Sequence, residues 1–374
     1  MRSLGGMGWI KERRQETEFR LFSFLSPVSL VLTGRLRGIC EGCSDAKGGG
    51  MYKVGLIGCG GISESHYRGF EDTGRARVRC VWDIDPERTG ETAARWDAKA
   101  ASSAEALIRS DVDLVVIAPP GFAHRKYVEM AAGAGKHILC EKPIALDLDE
   151  AMAMRETILR SGVKFMVGFN PRYDPPWVQL REVQKTGGIG GTVSAWVHQY
   201  APASSARWRK IQESGHWRAS MELSGGRINE FCSHAINWLL WVLGRPRTVY
   251  GRALYVTEGF SLDDADYALI DCEQGVGLLE VHRHAGVARE LHYGILGHGG
   301  SVVLKEGKVW LTPMDENTVE VPIRRDVPTK HEHFLRCIEH DESPRTGIED
   351  AIDTLRVCLA FNRSAESGQV ETVG

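Results

Sequence analysis

A chain of 374 residues is long enough for one or two domains that each bury a core, and a content of 43% hydrophobic and 25% charged residues excludes a disordered or collagen-like polymer. Its 46 basic and 49 acidic side chains leave a net charge of −3, so no global basic field is available to hold nucleic acid or anionic lipid, and the expected partners are small molecules and further copies of the chain. Nine cysteines, including Cys80, Cys140, Cys232 and Cys358 in apolar stretches, read as reduced thiols of a cytoplasmic protein rather than as a disulfide framework.

Residues 1–50 differ from the rest. Arg13-Arg14 ahead of the apolar run 21–32 suggests a twin-arginine or secretory signal, but Glu16 and Glu18 interrupt it and no Ala-x-Ala site follows. With Pro27 and three serines, the run is too short for a membrane span. Cys40 and Cys43 lack the second ligand pair of a zinc site. The preferred reading is a leader outside the fold, with Met51 as the natural start.

From Met51 the chain alternates strand and helix. Residues 52–57 form an apolar strand, 58–63 (GCGGIS) a glycine turn, and the stretch through Phe70 a helix. Gly58, Gly60, Gly61 and Ile62 then hold a pyrophosphate against the helix N-terminus. A second strand, 77–82, delivers Asp83, 20 residues beyond the turn, to grip the adenosine ribose. Asp85, directly before Pro86, is instead an N-cap. The Asp83 charge repels a 2′-phosphate, which favours NAD, while Arg88 nearby keeps NADP open. Further strands at 113–117 and 137–140, with a helix at 123–132, imply a parallel doubly wound sheet over 51–170, a Rossmann domain. Ligands bind beyond the carboxyl ends of such strands, where Pro119, Glu141 and Lys142 fall. Lys142 is therefore expected in the cofactor crevice.

The remainder, 171–374, reads as an α+β domain. A helix at 171–186 precedes strands at 192–200, 268–272, 276–282, 291–296 and 301–304. A helix over 228–243 carries Ile228, Phe231, Cys232, Ala235, Ile236, Leu239, Leu240 and Leu243 on one apolar face. Glu230, His234, Asn237 and Trp241 share the opposite stripe. Trp196, Trp208, Trp217, Trp238 and Trp241 cluster with Arg207, Arg209 and Arg218, a composition suited to sugar faces and hydroxyls, although ordinary packing accounts for most such residues. His282, His284, His292 and His298 stand without carboxylate partners of known placement, and no metal is assigned.

From Met51 onward the chain resembles the glucose-fructose oxidoreductase and inositol dehydrogenase family (Gfo/Idh/MocA). The resemblance is carried by the glycine turn, Pro120 with His124, GKHILCEKP ending at Pro143, GFNPRY at 168–173, and Gly225-Gly226 followed by His234 and Asn237. It implies a Rossmann domain followed by an open, largely antiparallel sheet, with the C-terminal helix packing back on the first domain. It also implies a homodimer or homotetramer and hydride exchange between NAD and a secondary alcohol of a sugar, cyclitol or sugar derivative. Lys142, His234 and Glu230 become the catalytic set, His234 accepting the hydroxyl proton near an ordinary pKa of about 6.5. His124, Glu141 and Lys142 itself join the cofactor contacts, and Asn170, Arg172, Trp217, Arg218 and Asn237 the substrate contacts. Glu230, Cys232 and Asn237 replace the family's usual Asp, Gly and second Asp. A redox-neutral glycosidase or epimerase that retains NAD, and a non-catalytic NAD-binding sensor, are the alternatives.

Overall fold

The computed structural model describes residues 50–200, 210–211, 213–256, 262–282 and 290–374. The leader readings, Arg207, Trp208, Arg209 and His284 lie outside the described residues. The first sheet is built from β1 (Tyr52–Ile57), β2 (Ala76–Trp82), β3 (Lys99–Ala100), β4 (Leu114–Ile117), β5 (His137–Cys140) and β6 (Phe165–Val167). All its pairs are parallel, in the order β3-β2-β1-β4-β5-β6. Strands buried on both faces need no polar alternation, which is why β4 is the unbroken LVVI.

Helices α1 (Ser63–Glu71), α2 (Pro86–Trp96), α3 (Ala104–Ile108), α4 (His124–Gly133) and α5 (Leu148–Ser161) cross between the strands. Asp85 caps α2 by accepting the Glu87 and Arg88 N–H groups, with Pro86 in the first helical position. The register brings Trp82, Ile57, Ile117, Cys140 and Val167 into line across β2, β1, β4, β5 and β6. The residues that follow them, among them Asp83, Gly58, Glu141 and Gly168, therefore emerge along one edge.

The helix expected over 171–186 is a 3₁₀ turn at Asn170–Arg172 followed by α6 (Pro175–Lys185). Pro175 and Pro176 explain the break, since a residue before proline is pushed out of the helical region, and Asp174 is extended. Next come β7 (Thr192–Tyr200), α7 (Met221–Ser224), α8 (Gly226–Glu230), α9 (Ser233–Leu243), β8 (Pro246–Leu254), β9 (Ala265–Cys272), β10 (Gly275–His282), β11 (Glu290–Gly297), β12 (Gly300–Lys305), β13 (Lys308–Pro313) and β14 (Val319–Val321). The chain ends with α10 (Lys330–Glu339), α11 (Ile348–Ser367) and β15 (Glu371–Thr372). The second sheet runs β14-β13-β12-β11-β7-β10-β9-β8-β15, antiparallel except for β7 with β10. One face buries Ala195, Val197, Ile270, Leu279, Val281 and Ile295 in the core that also holds Ile236, Leu239 and Leu243 of α9.

The single helix expected over 228–243 is interrupted at Phe231–Cys232. Lys142 Nζ donates to the Glu230 carbonyl at 2.6 Å, taking the acceptor that a continuous helix would commit to His234. Arg227, also on α8, is drawn into the sheet by Asp266 and the Val281 carbonyl. The apolar positions are nonetheless buried on either side of the break, with Phe231 half-buried. The C-terminal helix does pack back: Ile348, Ala351, Ile352 and Leu355 of α11 join a core of the Rossmann sheet, whereas Val357, Cys358, Ala360 and Phe361 join that of the second sheet.

Candidate active site

At the first edge, Gly58 has φ +94°, and a Cβ there would stand 2.7 Å from the Ala118 carbonyl carbon. Only glycine lets the turn pass β4 this closely. Gly60 and Gly61 face open space, with no atom within 4 Å of where a Cβ would sit. At the head of α1, Ile62 supplies no side-chain cap, whereas α2, α3 and α5 are capped by Asp85, Ser103 and Asp147. Open glycines and uncapped N–H groups suit a pyrophosphate. Asp83 accepts the Cys59 and Asp85 N–H groups, 2.8 and 2.9 Å away, which fixes its carboxylate beside the turn. The guanidinium of Arg88 bridges Asp83 and Asp85 at 3.5 and 3.3 Å. Asp83→Ser should therefore weaken NAD binding and relatively improve that of NADP, because Arg88 loses one of its carboxylates as the repulsion disappears. Titration of both dinucleotides checks this, and unchanged affinities would place the ribose contact elsewhere.

Lys142 projects from the end of β5 toward α8. Besides its bond to the Glu230 carbonyl, its ammonium lies 3.9 Å from Glu230 Oε1, which also accepts Arg218 Nε at 2.9 Å. The Arg218 guanidinium sits 4.3 Å from the centre of the Trp217 ring, and Trp217 meets Phe122 edge-on. His234 opens α9 and stands edge-on to Phe169. Two buried atoms here, Glu230 Oε2 and His234 Nδ1, have no hydrogen-bond partner among the described residues. Burial, reinforced by the positive charge of Lys142, pushes the His234 imidazole down to about 3 rather than its ordinary value, so the ring is neutral at physiological pH. That corrects the expectation of a titration near 6.5.

Other expected site residues are committed to the scaffold. The fully buried His124 ring spans the Pro119 and Ile144 carbonyls at 2.9 and 3.2 Å, so it shapes the crevice wall rather than facing it. Arg172 binds Asn237 Oδ1 at 2.8 Å and Asp350 at 2.8 Å, while Asn237 also donates to Thr354 Oγ1 at 3.0 Å. Both side chains are buried, and this network ties the 3₁₀ turn and α9 to α11. Their substrate role is replaced by a structural one. Asn170 is half-buried at the start of that turn. Glu141 faces inward to His66 and Lys330.

Of the described tryptophans, Trp217 stacks with Arg218, which in turn binds Glu230. Trp196 lies over Gly294, Trp238 is packed against Tyr293 in the core, and Trp241 stacks under Arg172. His282 pairs with Glu280, His292 lies 4.0 Å from Glu290, and His298 is exposed. His333, Cys337 and Glu342 bring ligand-type atoms within 4.8 Å of one another, but His333 Nε2 already accepts the Arg345 N–H at 3.0 Å. Phe122 has no local signal in the sequence, whereas Phe169 lies within the GFNPRY segment without having been expected at the site.

A glycine-turn Rossmann sheet whose edge carries a lysine and meets a carboxylate and a neutral histidine from a second, open-sheet domain defines a dinucleotide-dependent oxidoreductase. Residues 52–169 match the model of an oxidoreductase family with an NAD-binding Rossmann fold, and 177–303 match the GFO/IDH/MocA C-terminal domain. The chain belongs to the Gfo/Idh/MocA family, and its first domain is NAD-binding. It is 36% identical to inositol 2-dehydrogenase of Acidothermus cellulolyticus over 261 residues, 67% of this chain and 72% of that one. It is 31% identical to glucose-6-phosphate 3-dehydrogenase of Bacillus subtilis over 195 residues, 52% of this chain and only 54% of that enzyme's length. A levoglucosan dehydrogenase solved with NADH and levoglucosan has the same fold, with a TM-score of 0.78 at 22% identity, covering 86% of this chain and 99% of the other.

Proposed function

We propose that this protein transfers a hydride between NAD and a secondary alcohol of a sugar, cyclitol or sugar derivative. The observation that carries the reading is the pair of unpartnered buried atoms, Glu230 Oε2 and His234 Nδ1, beside the Lys142 ammonium. Buried polar atoms rarely go unpaired, and a polyol supplies hydroxyls that both donate and accept. Bound NAD would supply the hydride acceptor. Lys142 orients and polarises the reacting oxygen, neutral His234 takes the hydroxyl proton, and Glu230 accepts a neighbouring hydroxyl. Trp217 and Phe122 offer apolar surface to the C–H face of a ring. Gly58, Gly60, Gly61, Ile62 and Asp83 hold the dinucleotide, with Pro119 on the crevice wall.

The test is to mix the protein with NAD and a panel containing myo-inositol, D-glucose, glucose 6-phosphate and levoglucosan, and to follow NADH absorbance. Net NADH with at least one of them is expected. Product without net NADH would establish the redox-neutral alternative, and NAD binding without product from any compound would favour a sensor.

Two further features of the reading rest on surfaces and thiols. Tyr250, Leu269 and Leu278 are 39%, 48% and 39% exposed and lie in register across β8, β9 and β10, continuing to Trp196 on β7. A flat apolar stripe of this kind supports burial against a second copy, as a homodimer or homotetramer. The seven described cysteines are buried thiols, which supports a reducing, cytoplasmic setting. No described helix is long and apolar enough to cross a membrane.

A further inference from the structure

Next to Lys142 lies a buried polar chain that the chemistry above does not use. Glu141 Oε1 meets His66 Nε2 at 2.9 Å and Lys330 Nζ at 3.4 Å, while Oε2 accepts the Lys142 N–H at 3.3 Å. His66 Nδ1 in turn meets His331 Nε2 at 3.1 Å. Neutral rings satisfy both contacts, His331 donating to His66 and His66 to the carboxylate. Burial keeps them neutral, pushing His66 down and His331 to about 2. Lys330 is thus the full positive charge that faces Glu141 from the side away from Lys142. Although burial alone would raise the Glu141 carboxyl, Lys330, His66 and Lys142 together hold it well below the usual range.

The backbone is shaped to admit this chain. A Cβ on Gly69 would lie 2.1 Å from the His331 ring, and one on Gly168 would lie 2.6 Å from Glu141 Oε1. Neither glycine has the left-handed φ that would otherwise call for it, so both serve close approach. The elements joined are α1, which opens at the dinucleotide turn, β5, which is followed directly by Glu141 and Lys142, and α10, whose first turn is fixed by a capping box between Thr329 and Glu332. A buried ion pair is weak evidence for stability, since apolar residues of similar volume often do as well. Its place beside the reacting lysine is the better explanation.

We propose that Lys330 is a positioning residue: from α10 it clamps the Glu141 carboxylate, and through it the backbone of Lys142, and its charge offsets that of Glu141 beside the reacting ammonium. This rests on the reading of Lys142 as a catalytic residue. The charged and titratable groups around Lys142 are Glu141 on its own segment, Glu230 on α8 with Arg218 bound to it, and His234 on α9. Among the described residues those around Lys330 are Glu141, His66, His331, His234 on α9 and, at the head of α6, Asp174.

The test needs no substrate: acylation of Lys142 by acetic anhydride at pH 9 in the full chain, followed by peptide mass spectrometry. In Lys330→Met the Glu141 charge acts unopposed and holds the Lys142 proton, so labelling should slow by roughly tenfold. Mere loosening of the structure would speed it. Glu141→Gln, which keeps the shape and serves if Lys330→Met does not fold, should instead label faster. With whichever panel sugar or cyclitol yields NADH, Lys330→Met should lower kcat about tenfold with the KM for NAD little changed, and Lys330→Arg should recover most of it. Unchanged or faster labelling in Lys330→Met, or an unchanged rate in Glu141→Gln, overturns the proposal. Full turnover in Lys142→Ala would overturn the functional reading instead, and the labelling result would stand apart from it.

Discussion

Lys142→Ala and His234→Ala should each lower turnover by about two orders of magnitude or more while leaving NAD affinity nearly intact, since the glycine turn and Asp83 are the groups proposed to hold the dinucleotide. A loss of that size is about 3 kcal/mol of transition-state stabilisation, within the range of one positioned acid–base or electrostatic group. Glu230→Gln should chiefly raise the KM for the alcohol, because the amide keeps the shape and loses the charge that holds Arg218 and Lys142. The pH profile separates the ordinary histidine expected from sequence from the one the structure contains. An imidazole near 6.5 would cut kcat/KM as pH falls through that value. With His234 pushed down to about 3, the ring stays a proton acceptor, and kcat/KM should remain flat from pH 7.5 to 6. Near-normal turnover in His234→Ala would move the base to Lys142 or to another residue.

What was legible in the sequence was what is local. The glycine turn and Asp83 could be read because a close backbone approach and a carboxylate at a strand end each leave a fixed residue type at a fixed spacing. The place of Lys142 at the sheet edge could be read because Glu141, Lys142 and Pro143 directly follow an apolar strand. The apolar face of 228–243 was read correctly, yet its continuity was not, since the break depends on a lysine 88 residues away taking one carbonyl. Arg172 and Asn237 were placed among the substrate contacts because nothing local distinguishes a polar side chain facing a ligand from one sealed in a network with Asp350 and Thr354. Lys330 and His331 left no local signal at all. KHEH at the head of a helix looks solvated, and only its docking against Gly69 and Glu141 shows otherwise.

The same burial makes the protein acid-sensitive well above the usual carboxylate range: stability should begin to fall below pH 6.5, with cooperative unfolding between pH 6 and 5. His66, His124, His234, His331 and His333 are all pushed down, chiefly by burial, with His333 at about 4. Below about 6.5 each takes up a proton in the unfolded chain but not in the folded one, so the unfolded state binds more protons and stability drops with pH. Each such group costs on the order of 1 kcal/mol per pH unit, against a total stability of about 5–15 kcal/mol. Asp263 acts in the opposite sense: burial and the neighbouring Asp266 raise it to about 8, so across pH 4–8 the folded state holds the extra proton. Asp174 and Glu150, also raised by burial, act in the same sense as Asp263, but five histidines outnumber these three carboxyls and the acid side loses. Glu141, held low, adds to the loss once pH falls through the ordinary carboxylate range. Chemical denaturation at pH 7.5, 6.5, 5.5 and 5.0 would check the slope. A stability that stays level down to pH 5 would mean that these rings exchange protons with solvent in the folded protein and are not sealed as the packing indicates.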